Sequence, residues 1–172
     1  MRRDGFTLIE LLVIFVIVGI LVTISIPGFS NLLPNYRLRN ALRDLYSNFQ
    51  LAKMTAVRKN WNCAVTFNQA IGGITYSYVV YVDSNQDLEY DAGEEVVTKV
   101  LFSERYPGVG FDTSQGGGDG LTFPNNPAGL PSIAFRSNGL PQNSMSGDAF
   151  LNNTKNTTGS VAVSVAGNII VQ

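Results

Sequence analysis

Histidine is absent from this 172-residue chain, and there is one cysteine, Cys63. One cysteine cannot close an internal disulfide. Followed by an alternating strand pattern, Cys63 reads as a small buried hydrophobe. No nucleophile elbow appears, and Gly116-Gly117-Gly118-Asp119-Gly120 lacks the lysine and the strand-loop-helix setting of a phosphate cradle. Paired carboxylates occur only in one acidic loop, with no pocket-forming partners, so the chain does not read as an enzyme. Charge of one sign is also missing. The formal net charge is -1, which gives no general attraction for nucleic acid. No internal repeat is visible, and the length allows one domain plus an appendage.

What is present begins at the N-terminus. A short charged leader, Met1-Arg2-Arg3-Asp4-Gly5, precedes an apolar run from Phe6 to Phe29 that carries one charge, Glu10. A secretory signal is cut after its apolar region, at small residues. Ser25-Ile26-Pro27-Gly28-Phe29 is poor in that pattern, so the candidate cut lies before the run and the hydrophobic segment stays on the mature chain. Losing Arg2, Arg3 and Asp4 leaves ten basic and twelve acidic side chains. As a helix the run measures roughly 36 Å, against ~30 Å of bilayer core. Arg2 and Arg3 favour a cytoplasmic N-terminus. A glutamate inside such a segment costs ~2.5–3.5 kcal/mol on insertion scales, so Glu10 calls for a partner, or snorkels to head groups.

Gly5-Phe6-Thr7-Leu8-Ile9-Glu10 resembles the prepilin peptidase site of type IV pilins and pseudopilins. The resemblance implies cleavage between Gly5 and Phe6, methylation of the Phe6 amine, and pairing of Glu10 with the N-terminal amine of the preceding subunit.

Pro27 should kink or loosen the helix, and Pro34 gives a second weak point. Beyond them Leu38, Leu42, Leu45, Phe49, Ala52 and Ala56 recur at spacings of three and four, one apolar stripe that needs a sheet to cover it. The helix should end near Lys59-Asn60. Pro27-Gly28-Phe29-Ser30, Tyr36-Arg37-Leu38 and Leu51-Ala52-Lys53-Met54-Thr55-Ala56-Val57-Arg58-Lys59-Asn60 narrow the resemblance to the GspH/FimT family of minor pseudopilins and pilins.

The second half reads as a β domain. Candidate strands are Trp61–Phe67, Ile74–Val82, Val96–Phe102, Gly108–Phe111, Ser132–Arg136, Ser160–Val165 and Asn168–Val171, with a hairpin turn at Ala166-Gly167-Asn168. Residues 115–120 and 124–127 read as exposed, mobile linkers and Asn143–Gly159 as a polar loop. The expected class is α+β, type IV pilin-like: a long N-terminal helix, its first half transmembrane, packed on an antiparallel sheet domain. The expected divisions are a leader at 1–5, a membrane and filament-core helix at 6–29, an amphipathic continuation at 30–60 and a globular β domain at 61–172.

Within that domain, residues 83–94 place Asp83, Asn85, Asp87, Asp91 and Glu94 at positions 1, 3, 5, 9 and 12 of a calcium-type loop. Leu88 stands at position 6, where such loops use Gly, and the flanks are strands. Calcium is one reading. A solvated hairpin loop, in which Asp and Asn favour turns, is the other. Six cations (Arg37, Arg39, Arg43, Lys53, Arg58, Lys59) lie on the helix, and seven acids lie between Asp83 and Glu104. Basic helix against a neighbour's acidic loop would set filament register; solvated faces, with arginines near lipid head groups, are the alternative.

The resemblance implies a structural subunit of a type IV pilus or type II secretion pseudopilus. Its implied partners are other pilins or pseudopilins, prepilin peptidase, an inner-membrane assembly platform and membrane lipid. Its implied place is the bacterial inner membrane, as a single-pass protein with the C-terminal domain periplasmic or extracellular. Some FimT-type members resemble pilus-associated DNA receptors for uptake that use C-terminal basic residues. Here residues 156–172 hold no charged side chain, which counts against nucleic acid as a ligand.

Overall fold

The computed structural model describes residues 6–172, and within the long helix it describes the backbone but not the side chains of residues 24–31. Helix α1 spans Leu8–Lys59, 52 residues, or roughly 78 Å of rise. Arg58 and Lys59 in its last turn suit the negative end of the helix dipole, and Asn60 closes it with left-handed backbone (φ 58°). The helical assignment is unbroken across Pro27 and Pro34. The kink expected at Pro27 falls on residues 24–31 and so lies outside the described residues.

The expected stripe is the core. Leu38, Leu42, Leu45, Phe49, Ala52 and Ala56 are all buried, and they face two four-stranded antiparallel sheets. The first has the order β5-β4-β1-β7, from Val96–Val100, Tyr78–Asp83, Asn62–Phe67 and Ser132–Phe135. The second has the order β10-β9-β8-β6, from Ile169–Val171, Thr158–Val163, Gly147–Asn153 and Val109–Phe111. A two-stranded ribbon, β2 (Ala70–Ile71) with β3 (Ile74–Thr75), and a one-turn helix, α2 (Phe102–Arg105), complete the order.

Between helix and sheets, Phe67 packs its ring against Phe49, Tyr78, Phe111 and Phe123, the last stacked with centroids 5.2 Å apart. Such pairs add about 0.5–1.5 kcal/mol each beyond burial. Helix and sheet are also tied by polar groups. Asn48 donates to the Tyr78 hydroxyl (2.7 Å), which donates to Asp44 (3.3 Å), and Asp44 faces Arg105 of α2 at 3.4 Å. Cys63 is fully buried on β1, and burial pushes its thiol up to about 12.

Every residue of β1 and β4 is buried, so the first sheet is covered on both faces. Cys63, Val65, Phe67, Tyr78 and Val80 face α1. On the other face Ala64, Val79, Tyr81 and Ala134 are covered by Leu88 and its neighbours.

Four expectations are corrected. Asn143–Gly159 is not one loop, because β8 runs through it and pairs with both β6 and β9. Ile74–Val82 is not one strand, because residues 76–77 separate the β2–β3 ribbon from β4. The end of Val96–Phe102 turns into α2, and Phe102 N–H is held by the Ser77 hydroxyl at 2.9 Å. The linkers are exposed as expected at Gln115, Gly117, Gly118, Asp119, Pro124, Asn125 and Pro127, but are built in at three positions. A Cβ on Gly116 would stand 2.3 Å from Leu121 N, one on Gly120 2.8 Å from Asp112 N, and Asn126 is buried. Both glycines have positive φ, so only glycine fits there.

Among the described residues no helix is long and apolar enough to cross a membrane. The part of the run whose side chains are described reaches Thr23, and Leu8–Thr23 as helix rises about 24 Å, short of a bilayer core.

Candidate functional site

The first candidate site is the opening turn of α1. Thr7 precedes the helix with extended backbone, and a reciprocal capping box forms. The Glu10 N–H donates to Thr7 Oγ1 (3.3 Å), and the Thr7 N–H donates to Glu10 Oε2 (3.1 Å). The Thr7 hydroxyl adds a third bond to the same Oε2, at 3.1 Å. Glu10 Oε1 accepts nothing among the described residues. A carboxylate here also faces the positive end of the helix dipole.

Thr7 is the functional residue that sequence reasoning passed over, although Thr7-x-x-Glu10 is the plain capping-box signature. Around it Phe6, Ile9, Val13 and Ile14 border an open groove of about 380 Å³ beside Glu10. The large apolar side chains from Phe6 to Val22 each expose 48% or more of their surface. Phe6 stands just before α1; Gly5, its partner across the expected cut, lies outside the described residues.

The second candidate is the β4–β5 connection. It brings Asp83, Asn85, Asp87, Asp91 and Glu94 onto one hairpin, but their oxygens bond the loop to itself. Asp83, fully buried, accepts from Gln86 N–H (2.8 Å) and Leu88 N–H (3.3 Å). Glu94 accepts from Ser84 N–H (2.8 Å), the Ser84 hydroxyl and Asp91 N–H (3.2 Å). The Asn85 amide donates to both Asp87 (2.7 Å) and Asp91 (3.0 Å), and Asp87 also accepts from Glu89 N–H (2.8 Å). Among the described residues no group of three or more His, Cys, Asp or Glu could hold a metal ion. To serve calcium the loop would have to trade these bonds for coordination.

Leu88 takes the left-handed backbone (φ 69°) that glycine supplies at position 6 of a calcium-type loop. A leucine holds it because three groups fix it. Its N–H is bound by Asp83, and its carbonyl accepts from Tyr81 OH (2.8 Å) and Asn126 Nδ2 (2.9 Å). Its side chain is buried on the outer face of the first sheet. Burial raises the Asp83 carboxyl above its usual range, against the lowering effect of the two amides and with Glu94 and Asp87 adding to the rise.

The helix cations are partly used at home. Lys59 pairs with Glu95 inside the same chain, Lys53 donates to Gly167 C=O (3.0 Å) and Arg37 to Pro107 C=O (3.0 Å). Arg39 and Arg43 are exposed and make no ion pair among the described residues. The uncharged C-terminal stretch, which counts against DNA as a ligand, forms β10 and its hairpin with β9.

Comparison with known proteins matches residues 41–168 to the family described as Type II transport protein GspH. Residues 1–26 match the prokaryotic N-terminal methylation motif. The pilin-like protein PilA1 of Thermus thermophilus is 30% identical over 133 residues, covering 76% of this chain and 81% of that one. No solved structure matches at a comparable level of significance.

Proposed function

We propose a filament-assembly mechanism for this chain, which belongs to the GspH family and is a minor pilin or pseudopilin subunit. Prepilin peptidase cuts between Gly5 and Phe6, and the new Phe6 amine is methylated. The apolar run holds the subunit in the bacterial inner membrane as a single span, with the β domain periplasmic or extracellular. At the assembly platform the run leaves lipid and packs among the helices of other pilins or pseudopilins.

The observation that carries this reading is Glu10. It sits on an exposed apolar surface with Oε2 bonded to Thr7 and Oε1 without a partner among the described residues. An anion in that setting is costly without a cation, and the N-terminal amine of the preceding subunit is a cation of the right reach and height. The capping box holds the carboxylate in place while the second oxygen receives the amine.

The test is incorporation. Full-length Glu10→Ala, expressed in its native host, should remain in the membrane and disappear from sheared filaments or from crosslinks to other pilins. Incorporation at the wild-type level would overturn the mechanism. Partners recovered with the wild-type chain, whether pilus motor or secretion channel, identify the machine served.

A further inference from the structure

Directly after the C-cap of α1, some fifty residues along the helix from Glu10, Trp61 stands half exposed between two open clefts. On one side the cleft is weighted with acid: Lys59, already paired with Glu95, lies with Glu94 and Ser84 around about 390 Å³. On the other side a larger cleft of about 540 Å³ is lined by Asn62, Gln86, Arg136, Gln142 and Asn143, with no aliphatic side chain.

This second cleft is organised. Asn62, 8% exposed, forms part of its floor and donates to Gln142 Oε1 at 3.1 Å. Arg136 is its single charge. One guanidinium nitrogen donates to Asn143 Oδ1 (3.0 Å), which orients the group and leaves its other N–H donors without a partner among the described residues. Three of the lining residues hold left-handed backbone, Asn60 (φ 58°), Gln86 (φ 66°) and Asn143 (φ 51°). Asn60 takes it as the C-cap of α1, and Gln86 and Asn143 lie in the strand connections that frame the cleft. None of these side chains belongs to the hydrophobic core.

The lining narrows the ligand class. A protein partner would bring an apolar centre, and this cleft offers only one indole. Nucleic acid requires several cations at the phosphates, and here there is one. A sugar ring fits each part. Its C–H face lies on an indole, its hydroxyls both donate and accept as carboxamides do, and a ring carboxylate matches a guanidinium bidentately.

We propose that the cleft between Trp61 and Arg136 binds a uronic-acid residue of an extracellular polysaccharide. The indole stacks beneath the pyranose ring, Gln86, Gln142 and Asn143 take its hydroxyls, and Arg136 takes its carboxylate.

Trp61 is the only tryptophan in the chain, so its emission reports the two clefts it borders, and the Arg136 variant assigns a change to this one. The full-length chain in detergent micelles is titrated with an oligogalacturonate, with a neutral maltooligosaccharide and with a single-stranded oligonucleotide. The acidic sugar should give a saturable change, with a midpoint about tenfold below that of the neutral one, the size expected of one charge-assisted contact. Arg136→Gln should bring the two sugars to the same midpoint, and Asn143→Ala should weaken the acidic one several-fold. Both side chains are exposed, and circular dichroism checks that Asn143→Ala tolerates the left-handed backbone at that position. Equal midpoints in the wild type, an unchanged midpoint in Arg136→Gln, tighter binding of the oligonucleotide, or no saturable change with the acidic sugar would each overturn the proposal.

Discussion

The two halves of α1 are both rich in apolar residues and behave in opposite ways. From Leu38 to Ala56 the apolar positions return every three or four residues, and none of the six is more than 6% exposed. From Phe6 to Val22 they fill every side of the helix and remain open. One half has found its partner within the chain, in the two sheets. The other meets none among the described residues, and its apolar surface suits lipid or the helices of other subunits. Periodicity thus records where the partner comes from: a stripe points to a single internal neighbour, and an all-round apolar surface to several external ones.

The sharpest way to break this contrast is Glu10→Ala, which should remove the subunit from filaments at least tenfold while the thermal unfolding of the β domain stays where it was. Unchanged incorporation would mean that the open oxygen has no role. Phe49→Ala reverses the pattern. It empties a fully buried site beside two aromatic neighbours, Phe67 and Phe123, and should cost about 3–5 kcal/mol by urea unfolding. Ile14→Ala, with the same kind of truncation in the exposed half, should move that transition by less than about 0.5 kcal/mol. Equal losses at positions 14 and 49 would show that the first half packs on the domain after all.

Smaller effects sharpen the comparison. Leu88→Ala should cost about 2–3 kcal/mol, because the side chain covers the outer sheet face much as the stripe covers the inner one. Thr7→Val removes the cap and should loosen the first turn by about 1 kcal/mol, seen as faster amide exchange at residues 8–10, with a partial fall in incorporation.

The smallest concerns pH. The raised Asp83 carboxyl means that the folded chain holds this proton more tightly than the unfolded one. Its contribution to stability is therefore full below the unfolded value and falls as pH rises through the folded value. Urea midpoints of Asp83→Asn should accordingly lose less between about pH 4 and about pH 7 than the wild type does. A steeper loss in the variant would mean that the Gln86 and Leu88 amides outweigh burial.

What could be read from residues alone follows the same division. The helix stripe, the end at Lys59 and Asn60, β1, and the β9–β10 hairpin are local patterns with one dominant signal, and they stand where expected. Strand β8 escaped because its inward alternation of Ala149 and Leu151 continues into Asn153, a polar residue in a buried position. Asn153 is admitted there because its amide donates to Asn35 (2.8 Å) and its oxygen accepts from the Lys155 and Thr157 amides. Those partners are 118 residues away in one case and loop backbone in the others, and neither leaves a trace in the local pattern. The acidic hairpin was legible as a loop with carboxylates at fixed spacing. That its carboxylates turn to the loop's own amides, and that Leu88 fixes its centre, depends on Tyr81 and Asn126, which only the folded chain brings near.

Cys63 carries a consequence beyond the core it fills. Its sulfur lies out of solvent, and burial keeps it protonated at any ordinary pH. Thiol exchange requires the thiolate, so this atom is closed to covalent cross-linking even in an oxidising compartment. A polymer of such subunits gains no permanent weld from this chain. Whatever joins it to its neighbours acts through other atoms.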